Sequence, residues 1–336
     1  MTHAPFQDSP AGADAFALED SRAVHGGGVD AAAARWGGAR KDWLDLSTGI
    51  NPHGYPVPDF SPEVWRDLPD RRAEAQLIEA ARTFWDVPVG VDVLPAPGVS
   101  VLIAAIPGLA PRDTVRIAAP TYGEHAEAFR AAGWRVVTEG PARAQVAVHP
   151  NNPDGRLWSR EGLLDTHRGL TVIDESFCDC DPGQSLADLA ARPGVVVLKG
   201  LGKFWGLGGL RLGFALGRRA TLDRLRARIG PWAVSGPALA LGAQALGDRA
   251  WAADAQARLS KESALLDTKL TEFGARLVGG TKLFRTYAHD DAPALADRLA
   301  RCHILVRVFT YNRRWLRFGL PGHERDWARL AQGLEA

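Results

Sequence analysis

Lysine is scarce in this chain. Six occur among 336 residues, at positions 41, 199, 203, 261, 269 and 282, so few places can supply a buried, nucleophilic amine. Cysteine is scarcer. Three residues, Cys178, Cys180 and Cys302, cannot build a paired disulfide framework. The Cys178-Asp179-Cys180 pair has no second cysteine pair and no His-x-x-x-His spacing to complete four ligands, which argues against a metal centre. A net charge of +1 and the lack of a basic run give no reason to invoke nucleic acid or an anionic membrane surface. Long apolar stretches are missing too. The best candidate, VSVLIAAIPGLA at 99–110, is broken by Pro107 and falls short of a membrane span. The opening MTHAPFQDSPAGADAF has neither the basic nor the apolar segment of a secretory leader, so the sequence predicts a cytoplasmic protein.

What is present suits a large α/β unit. The hydrophobic fraction of 46% provides for a sizeable core. Short β-branched runs (VDVLPA, TVRIAAP, WRVVTEG, AQVAVHP, LTVIDES, GVVVLKG, RLGFALG) alternate with segments of helical period such as GEHAEAFRAAG and TLDRLRARIG. That alternation predicts a mainly parallel sheet covered by helices on both faces. A long helical region follows from 235 to about 275. The last strand-like runs, TKLFRTYAH and HILVRVF, predict a small α+β domain. The organisation expected is an arm over 1–40, a large domain over 41–245 and a small domain over 246–336.

The segment LKGLGKFWGLGGLRLGFALG (198–217) places Lys203 beyond an apolar strand and Arg211 eight residues later. A desolvated amine can attack a carbonyl, and a guanidinium can clamp a dianionic phosphate. A surface lysine on a glycine-rich loop has the same local appearance. Four other motifs point the same way. Asp174 ends the run LTVID, where a carboxylate can hold a proton on a pyridine nitrogen or simply cap a turn. Asn152, before a proline, can donate to a phenolic oxygen or mark an ordinary turn. Gly98, Val99 and Ser100 open a helix whose amides can receive phosphate. Tyr122 in PTYGEH can stack on an aromatic ring or belong to the core.

The order of these pieces resembles the fold-type I pyridoxal-phosphate enzymes, the aspartate aminotransferase superfamily. Within it, HGGGVDAAAARWG, DWLDLSTGINPHGYP, GPWAVSGPAL, GGTKLFR and WLRFGLPG resemble the threonine-phosphate decarboxylases of cobalamin biosynthesis, close relatives of the histidinol-phosphate aminotransferases. The resemblance spans roughly residues 23 to 322. It implies a seven-stranded, mainly parallel sheet, pyridoxal 5'-phosphate as cofactor and a homodimer. The reaction implied is decarboxylation of L-threonine O-3-phosphate to (R)-1-amino-2-propanol O-2-phosphate. By position, Lys203 binds the cofactor aldehyde, Asp174 its pyridine nitrogen and Asn152 its phenolic oxygen. Tyr122 stacks on the ring, and Arg211, Ser100, Gly98 and Val99 take the phosphate. Arg317 in WLRFG matches the carboxylate-binding arginine. His25 and Arg307 are candidates for the substrate phosphate, and Gly49, Ile50 and Asn51 for a loop closing over it.

The chain also departs from the pattern. Phe177 stands where aminotransferases of this group carry tyrosine, and Gly200 and Gly202 stand at two positions where relatives offer hydroxyls. Restoring a serine at Gly200 is expected to tighten cofactor binding. Leu68 replaces a tyrosine that in relatives reaches the partner subunit. Two alternatives are a histidinol-phosphate-like aminotransferase and a non-catalytic ligand-binding descendant of the fold. A nicotinamide-dependent dehydrogenase is disfavoured because GLGKFWGLGG falls too late for a first-strand dinucleotide turn.

Overall fold

The computed structural model describes residues 26–335. His25 lies outside them. A two-residue strand β1 (Leu44–Asp45) precedes the large sheet. That sheet contains β2 (Asp92–Ala96), β3 (Thr114–Ile117), β4 (Arg135–Val137), β5 (Ala144–Val148), β6 (Leu170–Asp174), β7 (Val195–Gly200) and β8 (Gly213–Gly217). Its order is β2-β8-β7-β6-β5-β3-β4, and β8 alone runs antiparallel to its neighbours. Each of the seven runs read from the sequence forms one of these strands.

Strand periodicity divides the core into two layers. Val195 and Val197 of β7 pack on one face, with the helices Arg71–Phe84 and Gly236–Gly247. Val196 and Leu198 pack on the other, with the helices Val99–Ala105, Glu124–Ala131 and Arg219–Ile229. In β6, Leu170 and Val172 belong to this second layer. The same alternation therefore carries Asp174 to the second face and Lys199 to the first.

The helical region after 235 is two helices, because Asp248 stops the first and accepts a hydrogen bond from Trp251 N to cap Arg249–Glu272. The C-terminal part adds β9 (Arg276–Thr281), β10 (Phe284–Ala288), β11 (Ile304–Leu305), β12 (Arg307–Val308) and β13 (Trp315–Gly319). Four of these form an antiparallel sheet ordered β12-β13-β10-β9, while β11 pairs with β1. In the β12–β13 ladder Arg307 lies opposite Arg317. Among the described residues no helix is long and apolar enough to cross a membrane.

Candidate active site

A cavity of about 1080 Å³ opens at the carboxyl ends of β5, β6 and β7, where ligands collect in doubly wound sheets. Its floor includes Ser100, Tyr122, Asn152, Asp174, Lys203 and Arg211. Its other wall comes from the C-terminal sheet and the loop after β12, through Arg307, Phe309, Tyr311 and Arg317.

Lys203 sits in the turn after β7 with Nζ 3.1 Å from the carbonyl oxygen of Thr48 and 5.4 Å from the Phe177 ring centre. Burial, then the nearby Arg317 charge, pushes its amine down to about 8, against the opposing pull of Asp174 and Asp45. Lys199 is different. It is fully buried on the opposite face, with Nζ 2.6 Å from Glu175 Oε2 and 3.5 Å from Asp179 Oδ1. Burial alone would lower it, but the two carboxylates raise it instead, so this lysine is a permanent cation in an ion cluster.

Asp174 is held by three donors from two residues. His125 Nε2 lies 2.8 Å from Oδ2, and Ser176 donates its backbone N (3.0 Å) and Oγ (2.5 Å) to Oδ1. Burial disfavours the charged carboxylate, yet the hydrogen bonds and charge of His125, with those of Ser176, outweigh it and hold the group below the ordinary aspartate value. The carboxylate is thus ionised at the cavity floor. Sequence reasoning missed His125; its only signal is its place in the first turn of the helix that follows Tyr122. The two rings meet edge to face with centroids 6.2 Å apart. Burial, then Glu124 and Asp174, raises the Tyr122 phenol to about 12.

Arg211 has left-handed backbone (φ 55°) and donates Nη1 to the Gly208 carbonyl at 3.0 Å. Gly98 has φ 91°, a backbone conformation that favours glycine, and a Cβ there would lie 2.7 Å from Arg211 Nη2, so the guanidinium rests against the backbone ahead of Val99 and Ser100. Gly200 is also tight: a Cβ there would lie 2.9 Å from Val99 Cγ2. The serine expected to improve that position does not fit the gap. Gly202 has room, with nothing nearer than Gly208 Cα at 3.5 Å.

Arg317 is buried over the Phe284 ring at 5.0 Å and donates to Asn152 Oδ1 and the Ser47 carbonyl, while its Nε has no partner. Burial, then Arg307, lowers it to about 10. Burial also lowers Arg307, which lies 5.7 Å from the Phe309 ring. Gly49, Ile50 and Asn51 do not line the cavity; Thr48 does. Asn51 is 2% exposed and faces the backbone of the lysine turn, so the closing loop expected at 49–51 is packed beneath the site. Cys178 and Cys180 are free, and burial raises both thiols, Cys180 to about 12. Cys178 lies beside His149 and Glu175, but both imidazole nitrogens are engaged, with the Gln184 carbonyl and Trp158 N.

The sequence pattern of the family described as "Aminotransferase class I and II" matches residues 137–333. The threonine-phosphate decarboxylase of Sinorhizobium sp is 41% identical over 327 residues, 93% of this chain and 97% of that protein. Its Pseudomonas aeruginosa counterpart is 39% identical over 326 residues, 92% and 96% of the two chains. Among solved structures, histidinol-phosphate aminotransferase from Sinorhizobium meliloti, in complex with pyridoxal-5'-phosphate, superposes with a TM-score of 0.77 at 19% identity. That match covers 91% of this chain and 92% of that one.

Proposed function

Because the chain belongs to the aminotransferase class I and II family, we propose that it decarboxylates L-threonine O-3-phosphate to (R)-1-amino-2-propanol O-2-phosphate, with pyridoxal 5'-phosphate as cofactor. This product is the linker between corrin ring and nucleotide loop in cobalamin. The cofactor fits the residues present. A lowered amine (Lys203), an ionised carboxylate (Asp174) and a guanidinium seated against a glycine (Arg211, Gly98) border one cavity. Lys203 would hold its aldehyde, Asp174 its ring nitrogen, and Arg211 with Gly98, Val99 and Ser100 its phosphate. Tyr122 would flank the ring. Asn152 accepts from Arg317 through Oδ1, which leaves its Nδ2 to donate to the phenolic oxygen.

One observation carries this reading: Arg211, Arg307 and Arg317 line the same cavity, and none has a carboxylate partner among the described residues. Arg317 is buried and Arg307 half-buried, so these two cations call for anions, while Arg211 stands exposed, open to a phosphate. The proposed pair of molecules brings three: the cofactor phosphate, the substrate phosphate and the substrate carboxylate.

The chemistry supplied by bound cofactor is an electron-accepting ring conjugated to the substrate nitrogen. This chain's residues do the rest. Arg317 and Arg307 would anchor the substrate's two anions and so orient the bonds at its α-carbon. Lys203, with an amine near 8, exchanges protons at neutral pH and returns one to the α-carbon once carbon dioxide has left. Phe177 and Phe309 keep the walls apolar, and Phe177 offers no hydroxyl to the phenolic oxygen. A homodimer accompanies this reading, since Trp65 and Leu68 expose 68% and 69% of their surface, apolar area that a second copy would cover. The test is reconstitution with pyridoxal phosphate followed by borohydride reduction and peptide mapping. The cofactor mass is expected on Lys203; its absence, or its presence on another lysine, contradicts the assignment.

A further inference from the structure

The loop packed beneath the cavity holds Lys203 at both ends. At its start, the Thr48 carbonyl accepts from Lys203 Nζ at 3.1 Å. At its end, Asn51 N donates to the Lys203 carbonyl at 3.0 Å, and Asn51 Nδ2 donates to the Phe204 carbonyl at 2.8 Å. The two backbones are in close contact: a Cβ on Gly206 would lie 2.4 Å from Gly54 Cα and 2.9 Å from the Asn51 carbonyl oxygen. Tyr55 N continues the seam to the Trp205 carbonyl at 2.8 Å. The Asn51 carboxamide is oriented from behind. Its Oδ1 accepts from Arg258 Nη2 at 3.0 Å and His53 N at 3.1 Å, and Arg258 Nη1 is held 2.9 Å from Glu262 Oε2, one turn along the helix Arg249–Glu272.

We propose that Asn51 is a positioning residue for Lys203, and that Arg258, braced by Glu262, sets the orientation of its carboxamide. The lysine backbone is thereby tied to the helix 249–272 while the same loop receives the lysine amine. A carboxamide is required because the position needs a donor toward Phe204 and an acceptor toward Arg258 at once. Neither residue touches the cavity. The effect on turnover rests on the function proposed above; the effect on the amine does not.

The test uses the full chain in two states. Without cofactor, acylation of Lys203 by acetic anhydride is followed against pH by peptide mass spectrometry, which reads the amine where Arg317, Arg211, Asp174 and Asp45 face it. With cofactor, kcat and KM for phosphothreonine are measured per mole of folded protein. Asn51→Ala is expected to move the Lys203 midpoint up by about one pH unit as the amine gains solvent. It is also expected to lower kcat by about a hundredfold with KM changed less than about threefold. Asn51→Asp keeps the Arg258 contact but turns an oxygen toward the Phe204 carbonyl, and should resemble Asn51→Ala. Arg258→Met gives a smaller shift in the same direction, and Arg258→Lys restores part of it; these two decide the matter if Asn51→Ala does not fold. A lowered melting temperature with an unchanged Lys203 profile and unchanged kcat would make Asn51 purely structural and overturn the proposal. If the wild-type protein takes up no cofactor, the functional reading fails, and the acylation profiles still decide the clamp.

Discussion

His125 Nε2 lies 2.8 Å from Asp174 Oδ2 with both side chains buried, and this contact decides the charge at the cavity floor. The Asp174 value is held below that of an unfolded aspartate, about 3.9, so its contribution to stability is present above about pH 4 and lost as pH falls below it. His125→Leu removes the outweighing partner and lets burial raise the carboxyl. The acid limb of the stability curve should then move to higher pH. Cofactor affinity should fall about tenfold or more, a charge-assisted hydrogen bond being worth about 1.5–3 kcal/mol. It should weaken further as pH falls, because the carboxyl takes up a proton sooner than in the wild type. Equal cofactor dissociation constants for variant and wild type would dissociate His125 from the site.

The two lysines on β7 and its following turn separate by consequence. Lys203→Ala should abolish the visible cofactor band and turnover while the fold survives, since it removes a desolvated amine. Lys199→Ala leaves Glu175 and Asp179 buried without their cation, a loss of about 3–5 kcal/mol. Lys199→Ala should still show the band, at temperatures where the weakened protein remains folded. Spectra and melting curves on both variants check this, and loss of the band in folded Lys199→Ala would reverse the assignment.

Gly200→Ser is expected to weaken cofactor binding severalfold and destabilise the protein by about 1–3 kcal/mol through contact with Val99. Gly202→Ser, in the roomier position, should retain wild-type binding or improve it. Titration with pyridoxal phosphate distinguishes them; tighter binding by Gly200→Ser would show that Val99 yields.

The arginines should separate by ligand. Arg211→Ala is expected to raise the cofactor dissociation constant by about tenfold or more, with a smaller effect on KM once the site is saturated. Arg307→Ala and Arg317→Ala should leave cofactor binding nearly intact and raise KM for phosphothreonine. An unchanged cofactor constant in Arg211→Ala contradicts its placement at the phosphate.

Much of this was legible in the sequence because β-branched runs and fixed motif spacings report strands and strand ends directly. All seven strands of the large sheet announced themselves in that way. β9 and β13 did not, since Gly279 and Gly280 dilute one and Arg317 interrupts the other. Asp248 was invisible as a break because the helical pattern runs through it. Asp174 ends β6, and Lys203 and Arg211 lie in the short segment between β7 and β8, where local spacing suffices. His125 acts through a residue 49 positions away. Asn51 was misread because sequence shows a loop's composition but not which side of it meets the site.

Decarboxylation is tested head-on by product analysis with phosphothreonine and pyridoxal phosphate in the absence of any 2-oxo acid. Equimolar carbon dioxide and aminopropanol phosphate are expected over many turnovers, and neither in Lys203→Ala. Accumulation of pyridoxamine phosphate with a 2-oxo acid, and no carbon dioxide, would contradict decarboxylation and identify an aminotransferase.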